Sequence, residues 1–112
     1  MKQEDFLQIS VVKYINLAYG NDYMVQMNYN NAYSASAGAK AKKMGRVKGF
    51  PDLQILDLKQ NRILFLEIKT EQGKLSKEQK QISEVLKSAG YSVYTGIGFD
   101  NCKNIIDKFC NF

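Results

Sequence analysis

Asp52, Glu67 and Lys69 are the residues whose types and spacing could do chemistry. Pro51-Asp52 precedes one apolar run, Leu53–Leu58, and Glu67-Ile68-Lys69 closes a second, Ile63–Ile68. The runs flank Lys59-Gln60-Asn61-Arg62 and read as a β-hairpin, so its open end carries all three side chains. Two carboxylates plus water are typical ligands of Mg²⁺, a hard ion that keeps several waters. An ion held there could activate water against a phosphate, and a neighbouring lysine could orient that water or neutralise phosphate charge. The plainer alternative is an edge salt bridge of Lys69 with Asp52 or Glu67. Other chemistries fall away on composition. The chain has no histidine, which removes Ser-His-Asp triads, Cys-His pairs and His-bound zinc or iron. Cys102 and Cys110 are the only cysteines and form no zinc motif; Cys102 is expected to pack as a small hydrophobe.

Register sharpens the hairpin. With a turn at Gln60-Asn61, or a loop from Lys59 to Arg62, Leu58 pairs with Ile63, Leu56 with Phe65, Gln54 with Glu67 and Asp52 with Lys69. Alternation then puts Asp52, Gln54, Leu56, Phe65, Glu67 and Lys69 on one face. Asp52 and Glu67 become diagonal neighbours, about 7–8 Å apart at Cα, within reach of one ion. Unpaired buried charge costs several kcal/mol, so such groups pair or bind metal.

The surrounding elements must hold this end in place. Residues 3–19 read as a helix with Leu7, Val11, Tyr14, Ile15 and Ala18 on one stripe, stopped by Gly20-Asn21-Asp22. Residues 23–28 suit a short strand and 28–36 a loop. Residues 36–45 suit a short basic helix, and Gly49-Phe50-Pro51 a turn. Ser76–Ala89 is the clearest helix, with a Ser76/Gln79 capping box and a stripe of Leu75, Ile82, Val85, Leu86 and Ala89. Residues 91–97 suit a strand and 100–110 a final helix facing inward through Cys102, Ile105, Ile106 and Phe109. The order α-β-(α)-β-β-α-β-α predicts a mixed α/β sandwich around a small sheet. At 112 residues, 45% of them hydrophobic, the chain is expected to form a single domain over residues 1–112. No run is long and apolar enough for a membrane span, and no signal-peptide core follows the N-terminus, so a cytoplasmic location with reduced thiols is expected.

Net charge is +5, from sixteen Lys/Arg and eleven Asp/Glu. Residues 1–39 sum to −1 and residues 49–112 to +1, so Lys40, Lys42, Lys43, Arg46 and Lys48 carry the excess. They lead directly into Asp52. Lysine-rich runs suit phosphate-backbone contact better than base reading. Tyr29 and Tyr33 could stack on unpaired bases. A solvated helix face without a partner is the alternative; a membrane surface is not expected, because no apolar face adjoins the run.

Together these pieces resemble a family. Pro51-Asp52 followed by Glu67-Ile68-Lys69 is similar to the signature of the PD-(D/E)xK nuclease superfamily. More closely, the chain resembles the VRR-NUC domain, the virus-type replication–repair nuclease module, in its short stand-alone phage form. The likeness runs from Glu4-x-x-Leu7-Gln8 through Gly38-Ala39-Lys40-x-x-Lys43-Met44-Gly45 and Gly49-Phe50-Pro51-Asp52-Leu53. It continues through Glu67-Ile68-Lys69 and Gly73-Lys74-Leu75-Ser76-x-x-Gln79-Lys80 to Gly90-Tyr91. The resemblance implies a restriction-endonuclease-like core and a metal-dependent DNA endonuclease using Mg²⁺ or Mn²⁺, with no organic cofactor. It implies Asp52, Glu67 and the Ile68 carbonyl as metal ligands and Lys69 as the catalytic lysine. Glu4, with Gln8 one turn on, would assist the metal or its water, and Gln79 would reach the site. Gln79 is equally explained as a capping residue, and Glu4 by the helix dipole. Short members of the family imply a homodimer acting on branched DNA such as Holliday junctions. A flap, splayed-arm or less selective nuclease, or a non-cleaving nucleic-acid-binding module of the same fold, are the alternatives.

Overall fold

The computed structural model describes residues 1–28 and 35–111; Tyr29 and Tyr33 lie outside them. The elements are α1 (Gln3–Ala18), β1 (Tyr23–Met27), α2 (Ala35–Lys43), β2 (Leu53–Asp57), β3 (Arg62–Lys69), α3 (Lys77–Ser88), β4 (Ser92–Ile97) and α4 (Gly98–Cys110), with one 3₁₀ turn at Gly20–Asp22. The strands form one mixed sheet in the order β1-β2-β3-β4. β1/β2 and β2/β3 pair antiparallel, and β3/β4 pair parallel across α3. This is the α/β architecture expected from the order of elements. No helix among the described residues is long and apolar enough to cross a membrane.

One sheet face holds the core. Leu53, Ile55, Leu64, Leu66 and Ile68 point at Val11 and Ile15 of α1 and Cys102 and Ile106 of α4, all fully buried or nearly so. Each such side chain contributes roughly 1.5–3 kcal/mol through burial. The close seat of α4 requires Gly96, because a Cβ there would lie 2.3 Å from the Cys102 sulfur. α4 begins two residues earlier than its periodicity predicts: the Asn101 Oδ1 accepts the Ile97 N–H at 2.8 Å and holds the chain turned straight out of β4. The far end of the core is closed by polar contacts. The Asp107 carboxylate accepts from both Tyr14 and Tyr19 hydroxyls and from Lys103.

The opposite face is thinner. α3 has no fully buried residue; Ile82 and Leu86 are half-buried, while Val85 is exposed, as is Ala89. The predicted stripe gives the helix its orientation but overstates its depth. Beneath it stand an edge-to-face chain of rings, Phe50, Phe65 and Tyr91, at 5.4 and 5.5 Å. Ala18, expected on the α1 stripe, is exposed where that helix ends.

The hairpin corrects the sequence reading by two residues. Leu56 pairs with Ile63, Gln54 with Phe65 and Leu53 with Leu66. Asp57 is the cause. Its Oδ1 accepts the N–H groups of Lys59 and Gln60 at 3.0 and 3.1 Å, which starts the turn at once. Its Oδ2 takes Nε and Nη2 of Arg62 at 3.0 and 2.7 Å, the residue paired opposite it. Burial alone would raise the Asp57 carboxyl, but these two N–H groups and the guanidinium together hold it below its ordinary value. Leu58 is thereby put out into an exposed loop, and Asn61 closes that loop with φ 55°. A two-residue shift keeps every side chain on its face. It changes who stands opposite whom at the open end: Asp52 now faces Glu67 directly instead of Lys69.

Candidate functional site

The site lies at the open end of the hairpin, on the α3 side of the sheet. Continuing the β2/β3 register one step beyond Leu53–Leu66 sets Asp52 against Glu67. Directly opposed residues sit about 4.5–5.5 Å apart at Cα, closer than the diagonal expected from the sequence. The Asp52 Oδ2 accepts the Ile68 N–H at 2.7 Å. Glu67 is buried at 4% exposure, and its Oε1 has no hydrogen-bond partner among the described residues. Burial pushes its carboxyl up to about 9, helped by a hydrogen bond with Asp52 and by the Asp52 charge; Lys69 pulls the other way.

Pro51 explains a further feature. One more step of register sets it against Ile68. Proline has no N–H, so the ladder bond that another residue would give the Ile68 carbonyl cannot form. The carbonyl that the sequence reading expects as a ligand is thus spared a backbone donor on that side.

A cleft of about 400 Å³ opens over Asp52; Glu67, buried opposite it, is not among the residues that line the cleft. Glu4 and Gln8 enter it from the first turns of α1, Lys69 from the end of β3, and Gln79 from the first turn of α3. The Lys69 ammonium is 4.0 Å from the Glu4 Oε2 and is mostly buried. Burial raises the Glu4 carboxyl, Lys69 lowers it, and Asp52 raises it again. Gln79 both caps α3 and lies on the cleft wall. Its Oε1 accepts the Ser76 N–H at 2.8 Å while its N–H donates to the Ser76 Oγ at 3.1 Å, and its side chain lines the cleft.

The basic stretch divides. Arg46 and Lys48 line the cleft, and the Lys48 ammonium also bridges to Glu78 at 3.1 Å. Lys40, Lys42 and Lys43 stay on the exposed surface of α2, with Lys42 bordering a neighbouring hollow that Arg46 and Lys48 share. The division follows from the end of the helix: the Arg46 N–H bonds back to the Ala41 carbonyl at 2.9 Å, and the chain turns toward Asp52. Gly49 lets the loop lie against α3. Its φ is +87°, and a Cβ there would come within 2.5–2.7 Å of the Glu78 and Gln79 backbone.

Sequence reasoning missed Asn28, which it placed at the edge of a loop. Asn28 lines the cleft and ties β1 to the Pro51-Asp52 backbone. The sole signal was its place at the end of a strand, and its partners depend on a strand pairing the sequence does not display.

The donor set fits a hard divalent cation. Glu67 offers a buried oxygen without a partner among the described residues, Asp52 stands opposite, and the cleft that Asp52 lines admits water. Among the described residues no three His, Cys, Asp or Glu side chains form a metal cage by themselves, so water and backbone oxygen would complete the shell.

A family model of the VRR-NUC domain matches residues 3–96. A solved VRR-NUC domain protein, 24% identical, superposes with a TM-score of 0.77 over 99% of this chain and 90% of its own. A second solved VRR-NUC domain, 20% identical, gives 0.68 over 96% of this chain and 97% of its own. No curated protein matches the chain.

Proposed function

Because this chain belongs to the VRR-NUC domain family, we propose that it is a metal-dependent DNA endonuclease that hydrolyses phosphodiester bonds. The observation that carries this reading is the buried Glu67 Oε1, without a partner among the described residues, opposite an Asp52 that lines a cleft together with Arg46 and Lys48. Asp52, Glu67 and the Ile68 carbonyl would hold Mg²⁺ or Mn²⁺. When bound, the ion supplies an acidified water and charge neutralisation at the phosphate. Lys69 steadies the attacking water or the phosphate charge; its low exposure keeps the ammonium in the cleft. Glu4 and Gln8 orient water from the α1 side. The Gln79 Oε1 is engaged by the Ser76 N–H, which leaves the amide NH₂ as its donor toward the substrate. Arg46 and Lys48 hold the strand across the opening.

The substrate class we propose is branched DNA, cut as a Holliday junction is by a homodimer. A 112-residue chain has little surface to span a junction alone, and pairing two copies presents two sites and two basic faces. The test is a panel of four-way junction, flap, splayed arm, duplex and single strand, with Mg²⁺ or Mn²⁺ and with EDTA. Metal-dependent cleavage of the junction that Lys69→Ala loses is the expected result. Binding without product in either metal would leave a non-cleaving module of the same fold.

The α2 lysines act at longer range. Replacing Lys40, Lys42 and Lys43 together with Gln should weaken DNA binding and reduce the slope of log affinity against log salt by up to about 3 on a duplex arm. A filter-binding series between 50 and 200 mM salt, as used for such slopes, reads this directly. An unchanged slope would place DNA away from α2.

A further inference from the structure

The Pro51-Asp52 step is held from one side by an amide relay that begins outside the signature residues. The Asn28 N–H donates to the Asp52 carbonyl at 2.8 Å. Its side-chain Nδ2 donates to the Pro51 carbonyl at 2.8 Å. The Gln54 Nε2 donates to the Asn28 Oδ1 at 3.1 Å, which fixes the amide with its NH₂ toward Pro51. Asn28 and Gln54 are both half-buried, so these bonds are partly shielded from water.

The relay bears on the carboxylate through a change of partners. In the continued antiparallel register Pro51 stands opposite Ile68, and the ordinary acceptor for the Ile68 N–H is the Pro51 carbonyl. Asn28 has taken that carbonyl. The Ile68 N–H donates instead to the Asp52 Oδ2 at 2.7 Å, a charge-assisted bond. The side chain of Asp52 is therefore oriented by a donor that became available only because a neighbouring amide captured its usual partner.

We propose that Asn28 is a positioning residue for the metal-binding carboxylate. By holding the Pro51 carbonyl away from β3, it delivers the Ile68 N–H to Asp52 and turns that carboxylate toward Glu67. Gln54 orients Asn28 in turn. The inference rests on the reading of Asp52 and Glu67 as a metal site. Groups of this kind, one bond removed from a ligand, typically change metal affinity or activity 10–100-fold when lost.

The experiment is a calorimetric titration of Mn²⁺ into the wild-type protein, Asn28→Ala, Gln54→Met and Asp52→Asn, with thermal melts and amide ¹⁵N–¹H spectra of each. Asn28→Ala should raise the Mn²⁺ dissociation constant about tenfold and shift the Ile68 amide resonance, as its N–H returns to the Pro51 carbonyl. Gln54→Met should give a smaller change in the same direction, and Asp52→Asn should remove specific binding. In cleavage assays, excess metal should restore much of the Asn28→Ala rate. A purely structural Asn28 would lower the melting temperature and leave both the Mn²⁺ affinity and the Ile68 resonance unmoved, which would overturn the proposal. If Asp52→Asn binds Mn²⁺ as the wild type does, the metal-site reading fails and this inference fails with it. If Asp52→Asn loses Mn²⁺ while Asn28→Ala keeps full affinity, the metal site stands and only the role of Asn28 is lost.

Discussion

Glu67→Gln should lower cleavage by about 10³-fold or more and at the same time raise the melting temperature of the metal-free protein. The two effects share a cause. Glu67 is buried at 4% exposure beside Asp52, and its Oε1 has no partner among the described residues. Without a cation, burial and the adjacent carboxylate push its pKa up from 4.5 to about 9, against the opposing pull of Lys69. A carboxyl with a raised folded pKa binds its proton more tightly in the folded chain than in the unfolded one. Stability therefore falls as pH rises from the unfolded value toward about 9. Gln cannot ionise, and its amide can donate to Asp52, so the penalty disappears. Replacing such buried charge typically stabilises by roughly 1–4 kcal/mol, or several degrees in a domain of this size. Melts in EDTA from pH 5 to 9 should show the variant's advantage growing with pH. Mg²⁺ should stabilise the wild type and do little for Glu67→Gln, because a ligand that binds only the native state raises its stability. A variant that melts below the wild type at pH 8 would instead make Glu67 a structural partner of Lys69. Retained cleavage would remove it from the site.

How much of this could be read beforehand follows from what periodicity encodes. Alternation assigns faces, so Asp52, Glu67 and Lys69 fall on one face whether the hairpin is paired as expected or two residues away. The slip itself leaves no trace in the apolar pattern. It was decided by the Asp57 side chain, which caps the turn and pairs with Arg62, while the apolar Leu58 drew the expected strand one residue too far. For the same reason the stripe on α3 gives its orientation and not its depth. The sheet beneath that helix offers Phe65 and Val93 and then the polar residues of the site, so there is little for Val85 to bury against. The basic run reads as one patch because charge adds along a sequence. The bend after Met44-Gly45 divides it in space, sending Arg46 and Lys48 to the cleft and leaving the lysines of α2 outside. Asn28 was least legible of all, since its meaning depends on β1 ending beside Pro51.

Gly49→Ala should reduce cleavage about 100-fold while leaving Mn²⁺ affinity near the wild-type value. Gly49 has φ +87°, and an added Cβ would lie 2.5 Å from the Glu78 carbonyl carbon and 2.7 Å from the Gln79 nitrogen. These are backbone atoms, so no side chain can rotate out of the way; the first turn of α3 or the loop must shift. That turn carries Gln79 into the cleft and holds Lys48 through Glu78. A displacement near 1 Å of groups that position substrate costs on the order of 10²-fold in rate. Asp52 and Glu67 belong to the hairpin, so the metal should still bind, and the loss should fall on the rate with metal in excess. Left-handed backbone by itself costs a non-glycine residue about 1–2 kcal/mol. Gly45→Ala separates the two effects: its φ is +108°, but a Cβ there meets nothing within 4 Å among the described residues. It should lose comparable stability through backbone strain and keep most of its activity. Melting curves and single-turnover cleavage of both variants make the comparison. Equal losses of activity would put the effect in the strained loop; a loss confined to Gly49→Ala would put it in the seat of α3, where the absence of one methyl group sets the distance between the basic loop and Gln79.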